Sequence, residues 1–207
     1  VRDFMGNENG DWLDSYLFDK RVVVLRGPLD SELATRVASK LMTLDATGDE
    51  PVQLQLDSPG GPLEAAFSVI DVIDAMGIGV EVVCMGQVGS TAVAVAAVCE
   101  KRSTLAHAQF HLADPDIEIV GPSSRFETLL SHHRTSLAHF HERLAAAVGK
   151  SVEKVAEDCS RQCWMGAEEA VAYGIVDEVL AGRAQLRPLR PGRAAPGSGR
   201  FEQPGRR

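Results

Sequence analysis

The chain has 207 residues, 44% of them hydrophobic, and a formal net charge of −8, so it can bury a full-sized core and lacks the basic balance of a nucleic-acid-binding domain. Its four cysteines show no framework spacing, no signal-peptide pattern is present, and no apolar run approaches about 18 residues. These features argue against a disulfide scaffold and a membrane span, and for a soluble, reducing, cytoplasmic setting. The charge is unevenly spread: residues 181–207 hold seven Arg and one Glu among Pro and Gly, with almost nothing to bury. They are expected to form a disordered, solvated tail behind a folded domain at 21–180 and an N-terminal segment at 1–20.

In chain order, Arg21 to Leu25 reads as a strand, followed by Gly27-Pro28 and a helix capped by Asp30 or Ser31 that runs to about Leu44. Val52 to Asp57 alternates polar and apolar residues and breaks at Ser58-Pro59-Gly60-Gly61, after which Leu63 to Met76 has apolar residues at helical spacing. Val80 to Met85 predicts a third, buried strand. It leads into Gly86-Gln87-Val88-Gly89, a small-residue turn that delivers Ser90 to the start of a small-apolar helix at 91–98. Two roles fit Ser90. It is either a nucleophile placed where unpaired helix N–H groups favour developing negative charge, or an ordinary helix N-cap.

Strand-like runs follow at Ser103–Leu105, Gln109–Leu112 and Ile117–Val120. A helix from about Ser123 to Val148 comes next, nearly 40 Å long at about 1.5 Å per residue, and this length predicts that it projects from the domain towards a partner. Its His132, His133, His139 and His141 read as a solvated or subunit-facing stripe. Helices at Val152–Cys163 and Ala167–Tyr173 and a strand at Val176–Leu180 complete the domain. Cys159 and Cys163, at i and i+4, read as buried helix cysteines, and neither metal nor cofactor is expected. The repeated βα units predict an α/β fold with a mainly parallel sheet and ligands at the strand C-terminal ends.

Asp57-Ser58-Pro59-Gly60-Gly61, Gly86-Gln87-Val88-Gly89-Ser90 and the stretch from Met165-Gly166-Ala167 to Gly174-Ile175-Val176-Asp177 together resemble the proteolytic subunit of the Clp protease. The resemblance covers about residues 12–180. It implies the ClpP/crotonase-like fold, peptide substrates, a long "handle" helix matching 123–148, and heptameric rings of one chain or of several Clp-type paralogues. It also implies Ser90 as nucleophile, with the backbone N–H groups of Gly61 and Thr91 as oxyanion donors; Thr91 stands where the family usually has methionine. Two donors suffice for a tetrahedral oxyanion if they are preorganised.

The resemblance fails at the base. Anchored on Lys101-Arg102 and Pro115, it puts Ala113 at the position of the family histidine, and the aspartate position falls on Gln162. The chain thus looks like a degenerate member, similar to the non-catalytic ClpR-type subunits. His111 is the substitute to weigh; it faces the same side of its strand as Ala113 but lies about 6.6 Å away, with Asp114 or Asp116 to orient it. Gln53 and Gln55 replace aromatic residues that in the family help receive an ATPase, which argues against docking of a Clp ATPase. Arg161 keeps the arginine that the family uses in ring-to-ring contacts. The expected function is a catalytically silent ring subunit, with an active serine endopeptidase using Ser90 and His111 as the alternative. A crotonase-type thioester enzyme is disfavoured because no glutamate has an evident acid/base position.

Overall fold

A computed structural model describes residues 8–118 and 120–181. The β-branched runs form a seven-stranded sheet whose main path is β1 (Val22–Arg26), β2 (Val52–Ser58), β3 (Val80–Gly89), β4 (Lys101–Leu105) and β7 (Glu178–Leu180), all parallel. β5 (Gln109–Leu112) joins β3 in parallel, and the antiparallel β6 (Cys163–Met165) joins β5. Seven α-helices accompany the sheet among the described residues, as expected for an α/β fold. α2 (Ser31–Thr47) begins at Asp30, whose carboxylate accepts the Leu33 N–H at 2.8 Å. It packs with α3 (Leu63–Ala75) over strands that read apolar on the inward positions, including Val23, Leu25, Leu54 and Leu56 at 0% exposure. None of these helices is long and apolar enough to cross a membrane.

The turn expected at 86–89 is instead a continuation of β3. Its first half pairs with β4 through Glu81–Cys84, and its second half leaves that neighbour and pairs with β5 through Gln87–Gly89. A bulge makes the change of partner: Leu56 of β2 lies opposite Cys84, yet Ser58 lies opposite Val88. Gly86 supplies the positive φ, +58°, that the bulge requires, and the Asp57 carboxylate lies where a Cβ would project. One oxygen of that carboxylate accepts the Gln87 N–H at 3.1 Å, and the other pairs with Arg26 Nε at 3.2 Å.

Other departures from the sequence reading are local. Ile117, Glu118 and Val120 have no regular structure, and no strand among the described residues pairs with them. The long helix begins as a 3₁₀ turn at Ser123–Arg125 and becomes α5 at Phe126–Val148, which buries only its C-terminal half, from Phe140 to Val148. α6 (Val152–Ser160) ends three residues earlier than expected, since Gln162 takes φ +53° and Cys163 enters β6. Cys159 and Cys163 therefore do not share a helix face. α4 (Thr91–Ala97) is buried at every residue, and α7 (Ala167–Tyr173) closes the C-terminal side. The N-terminal segment contributes α1 (Glu8–Asp19), whose Asp14 pairs with Lys40 of α2. The tail expected over 181–207 lies, apart from Ala181, outside the described residues.

Arg102, at the start of β4, ties the late elements together. Its guanidinium donates to the carbonyls of Gly174 at 2.9 Å and Ala147 at 3.3 Å and pairs with Asp177 at 2.5 Å. Hydrogen bonds from Arg102 hold the Asp177 carboxyl below its ordinary pKa. A depressed native pKa stabilises the fold fully above the unfolded value of about 3.9 and ceases to do so as pH falls through the lower native value. Asp177→Asn is expected to be less stable than wild type at neutral pH and to lose less further stability below about pH 4, read from urea midpoints across pH. Gly86→Ala is expected to cost about 2 kcal/mol in the same measurement, because an L-residue at that φ is strained and its Cβ displaces Asp57.

Candidate functional site

The bulge in β3 aims its last residues at the segment 58–61 that follows β2. Contact there is backbone to backbone: a Cβ on Gly60 would lie 2.6 Å from the Gly89 carbonyl oxygen and 3.0 Å from Ser90 Cβ, and one on Gly89 would lie 2.8 Å from the Pro59 carbonyl oxygen. Ser90 itself is fixed at φ 47°, ψ −123°, a sparsely populated conformation for a residue with a side chain. Its N–H donates to the His111 carbonyl at 2.8 Å, so β5 helps to hold it there. This strained strand-to-helix junction is the kind that presents a serine nucleophile. Ser90 occupies the N-cap position of α4, but its hydroxyl makes no capping hydrogen bond, which removes the plain N-cap reading.

A cavity of about 1000 Å³ opens at this junction. It brings together Ser90, Gly61, Ala113, His111 and Gln162, while Thr91 and Arg161 lie outside its lining. Glu64 of α3 and Glu118 also line it, two carboxylates that the sequence reading did not bring to the site. Glu64 follows the Gly60-Gly61 segment in the first turn of α3, and Glu118 follows Asp116, so each enters beside a neighbour that lines the cavity.

Within the cavity the polar groups do not meet. Ser90 Oγ and His111 Nε2 are both shielded from solvent, and neither has a hydrogen-bond partner among the described residues. The His111 ring stacks on Trp164 with centroids 4.2 Å apart, and burial lowers its pKa, favouring the neutral imidazole. Ala113, 6% exposed, presents only a methyl group. Gln162 is exposed, and its N–H donates to the Cys159 carbonyl at 3.0 Å.

Two expectations are corrected by the side-chain contacts. Asp114 does not orient His111; its Oδ1 lies 2.8 Å from His141 Nε2, while Asp116 is exposed. His141 is accordingly buried at 8% exposure and leaves the exposed stripe to which its sequence neighbours His132 and His139 belong. His141 stands three, four and seven residues before Leu144, Ala145 and Val148, the spacing of one helix face, and this was the signal available.

Of the two expected oxyanion donors, the Gly61 N–H is taken up by a side chain. Thr91 is fully buried, and its hydroxyl accepts the Gly61 N–H at 3.0 Å while donating to the Gly61 carbonyl at 3.0 Å. Only glycine fits at 61, since a Cβ there would lie 2.1 Å from the Leu29 carbonyl oxygen. Its donor is thus engaged by a neighbouring side chain, a consequence of having threonine at 91. Arg161 pairs with Glu157 at 2.6 Å across one exposed turn, and the buried or half-buried Gln53 and Gln55 leave Oε1 and Nε2, respectively, without partners among the described residues.

A serine at a strained strand-to-helix junction, over a cavity at the C-terminal ends of parallel strands, marks the candidate site of this α/β protein. The Clp protease family matches residues 6–183, and the chain belongs to that family. It is 33% identical over 186 residues to the ATP-dependent Clp protease proteolytic subunit 2 of Chlamydia trachomatis, covering 87% of this chain and 91% of that one. It is 31% identical to proteolytic subunit 3 of Rhizobium etli, with 86% and 92% covered, and 31% identical to proteolytic subunit 2 of Pseudomonas aeruginosa, with 86% and 89% covered.

Thr91→Val is expected to destabilise the protein by about 1–3 kcal/mol in urea unfolding, because it removes the buried partner of the Gly61 N–H while conserving volume. A loss below about 0.5 kcal/mol would show that the hydroxyl does not satisfy Gly61.

Proposed function

We propose that this chain is a catalytically silent Clp-type ring subunit, retained for assembly, chamber lining or partner choice beside an active paralogue. The observation that supports the reading is the Ser90 hydroxyl, whose Oγ has no hydrogen-bond partner among the described residues; by resemblance, Ala113 and Gln162 stand where the family has its histidine and aspartate. A serine hydroxyl is a weak nucleophile without such a partner. The engaged Gly61 N–H supports the same reading, since an oxyanion would have to displace the Thr91 hydroxyl to use it. Exposed apolar side chains support assembly; Trp12 is 68% exposed, Val120 81% and Phe126, at the projecting end of α5, 49%. The unpartnered amides of Gln53 and Gln55 give no apolar seat to an ATPase loop, so an ATPase engages the paralogue's subunits in this reading.

One observation favours a second reading, a peptidase with a displaced base. Ser90 and His111 line one cavity, Oγ and Nε2 have no hydrogen-bond partner among the described residues, and a neutral imidazole is competent to take a proton. A water-bridged or rearranged Ser90–His111 dyad would then act.

The two readings separate in one experiment. The silent subunit is expected to hydrolyse fluorogenic peptides about 10⁶-fold more slowly than an active paralogue, the scale of losing the serine's base, to resist fluorophosphonate labelling at Ser90, and to co-purify with that paralogue. Labelling of Ser90, with hydrolysis abolished by Ser90→Ala and His111→Ala alike, would establish the second reading and overturn the first.

A further inference from the structure

Behind the cavity, three side chains from separate parts of the fold converge: Asp114 from the segment after β5, His141 from α5 and Cys159 from α6. One donor atom from each lies within 4.8 Å of the other two, and the Asp114–His141 pair is already 2.8 Å apart. His141 and Cys159 are buried at 8% and 1% exposure, whereas Asp114 is half-buried and lines the cavity. The set is a carboxylate oxygen, an imidazole nitrogen and a sulfur. We propose that Asp114, His141 and Cys159 form a binding site for a divalent cation of the zinc class, with solvent from the cavity side completing the coordination.

The donor chemistry selects the ion. Thiolate and imidazole favour zinc over magnesium or calcium, and a site with three protein ligands leaves a fourth tetrahedral position open. Donors around tetrahedral zinc lie about 3.3–3.6 Å apart for bonds of about 2.0–2.3 Å, so binding requires shifts of about 1 Å in side chains that already face one another. On binding, the Cys159 S–H bond breaks and its proton leaves to solvent as the S–Zn bond forms. His141 gives up its contact with Asp114 and ligates through Nε2 as the neutral tautomer protonated on Nδ1, and Asp114 contributes one carboxylate oxygen. Thiolate and carboxylate together neutralise the two charges of the ion, so the buried centre carries no net charge. The same residues do not make a cysteine nucleophile, because Cys159 is closed to any substrate. The bound ion would fasten α5 and α6 to the segment next to Ala113, stiffening one wall of the cavity.

The test uses the full chain, free of any affinity tag, stripped with chelator and titrated with Zn²⁺ and with Co²⁺. The expected result is one ion per chain, a thiolate-to-Co²⁺ charge-transfer band with tetrahedral visible absorption, and loss of that band in Cys159→Ala. Asp114→Asn, at a half-exposed position that the fold tolerates, is expected to weaken Zn²⁺ binding by about 10- to 100-fold or more. The Asp114 variant and the wild-type Co²⁺ spectrum decide the matter even if Cys159→Ala does not fold. Absence of binding, a Co²⁺ spectrum without the thiolate band, or an affinity unchanged in Asp114→Asn would overturn the site; in the last case exposed histidines such as His132 and His139 hold the ion.

Discussion

The carboxylate of Asp57 is the constraint on which the site's geometry depends. It accepts the Gln87 N–H and pairs with Arg26, and it occupies the space that any side chain at 86 would need. With that bulge fastened, β3 can pair with β4 in its first half and β5 in its second, and so reach the segment after β2. Ser90 inherits its strained backbone from this path. Strain of about 1–3 kcal/mol at such a residue persists only where surrounding structure over-determines it, here through the His111 carbonyl, the Gly60 backbone and the wholly buried α4.

The same architecture separates shape from chemistry. Backbone features of a hydrolase site remain: the junction, the glycine pair and the cavity. The side chains around them satisfy one another or nothing. Thr91 closes on Gly61, His141 on Asp114, and His111 stacks on Trp164, leaving Ser90 Oγ without a partner among the described residues. A fold needs the first set because close backbone packing stabilises it whether or not a reaction occurs. Proton transfer needs the second set within about 3 Å, and the Ser90 hydroxyl has no hydrogen-bond partner among the described residues. Membership of the Clp protease family therefore fixes the frame more firmly than it fixes the activity.

Much of the frame was legible because it is written in local patterns. The alternation of Val52–Asp57, the cap at Asp30 or Ser31 and the small-apolar run at 91–98 each specify an element without reference to the rest of the chain. Boundaries failed where a tertiary contact outweighs local propensity. Gly86 reads as a turn signal, yet β5 offers the following residues an edge and keeps them in strand. Cys163 continues a helical period, yet β6 pairs it with Leu112. Ile117–Val120 carries strand-like residues, yet where described it is irregular and no strand among the described residues pairs with it.

By itself the sequence determined the α/β class, the serine at a strand-to-helix junction, the break at Gly60-Gly61 and the identity of the residues at 113 and 162. Each follows from residue type and short-range spacing, which act within a few residues. Only the tertiary structure decided which donors are free and which are taken. The engagement of Gly61 by Thr91 joins residues 30 positions apart, the Asp114–His141 pair 27, and Cys159 meets both from a third element. Hydrogen bonds and ligand sets are contacts over about 3–5 Å, and no period in a linear chain encodes which distant side chains packing will bring that close.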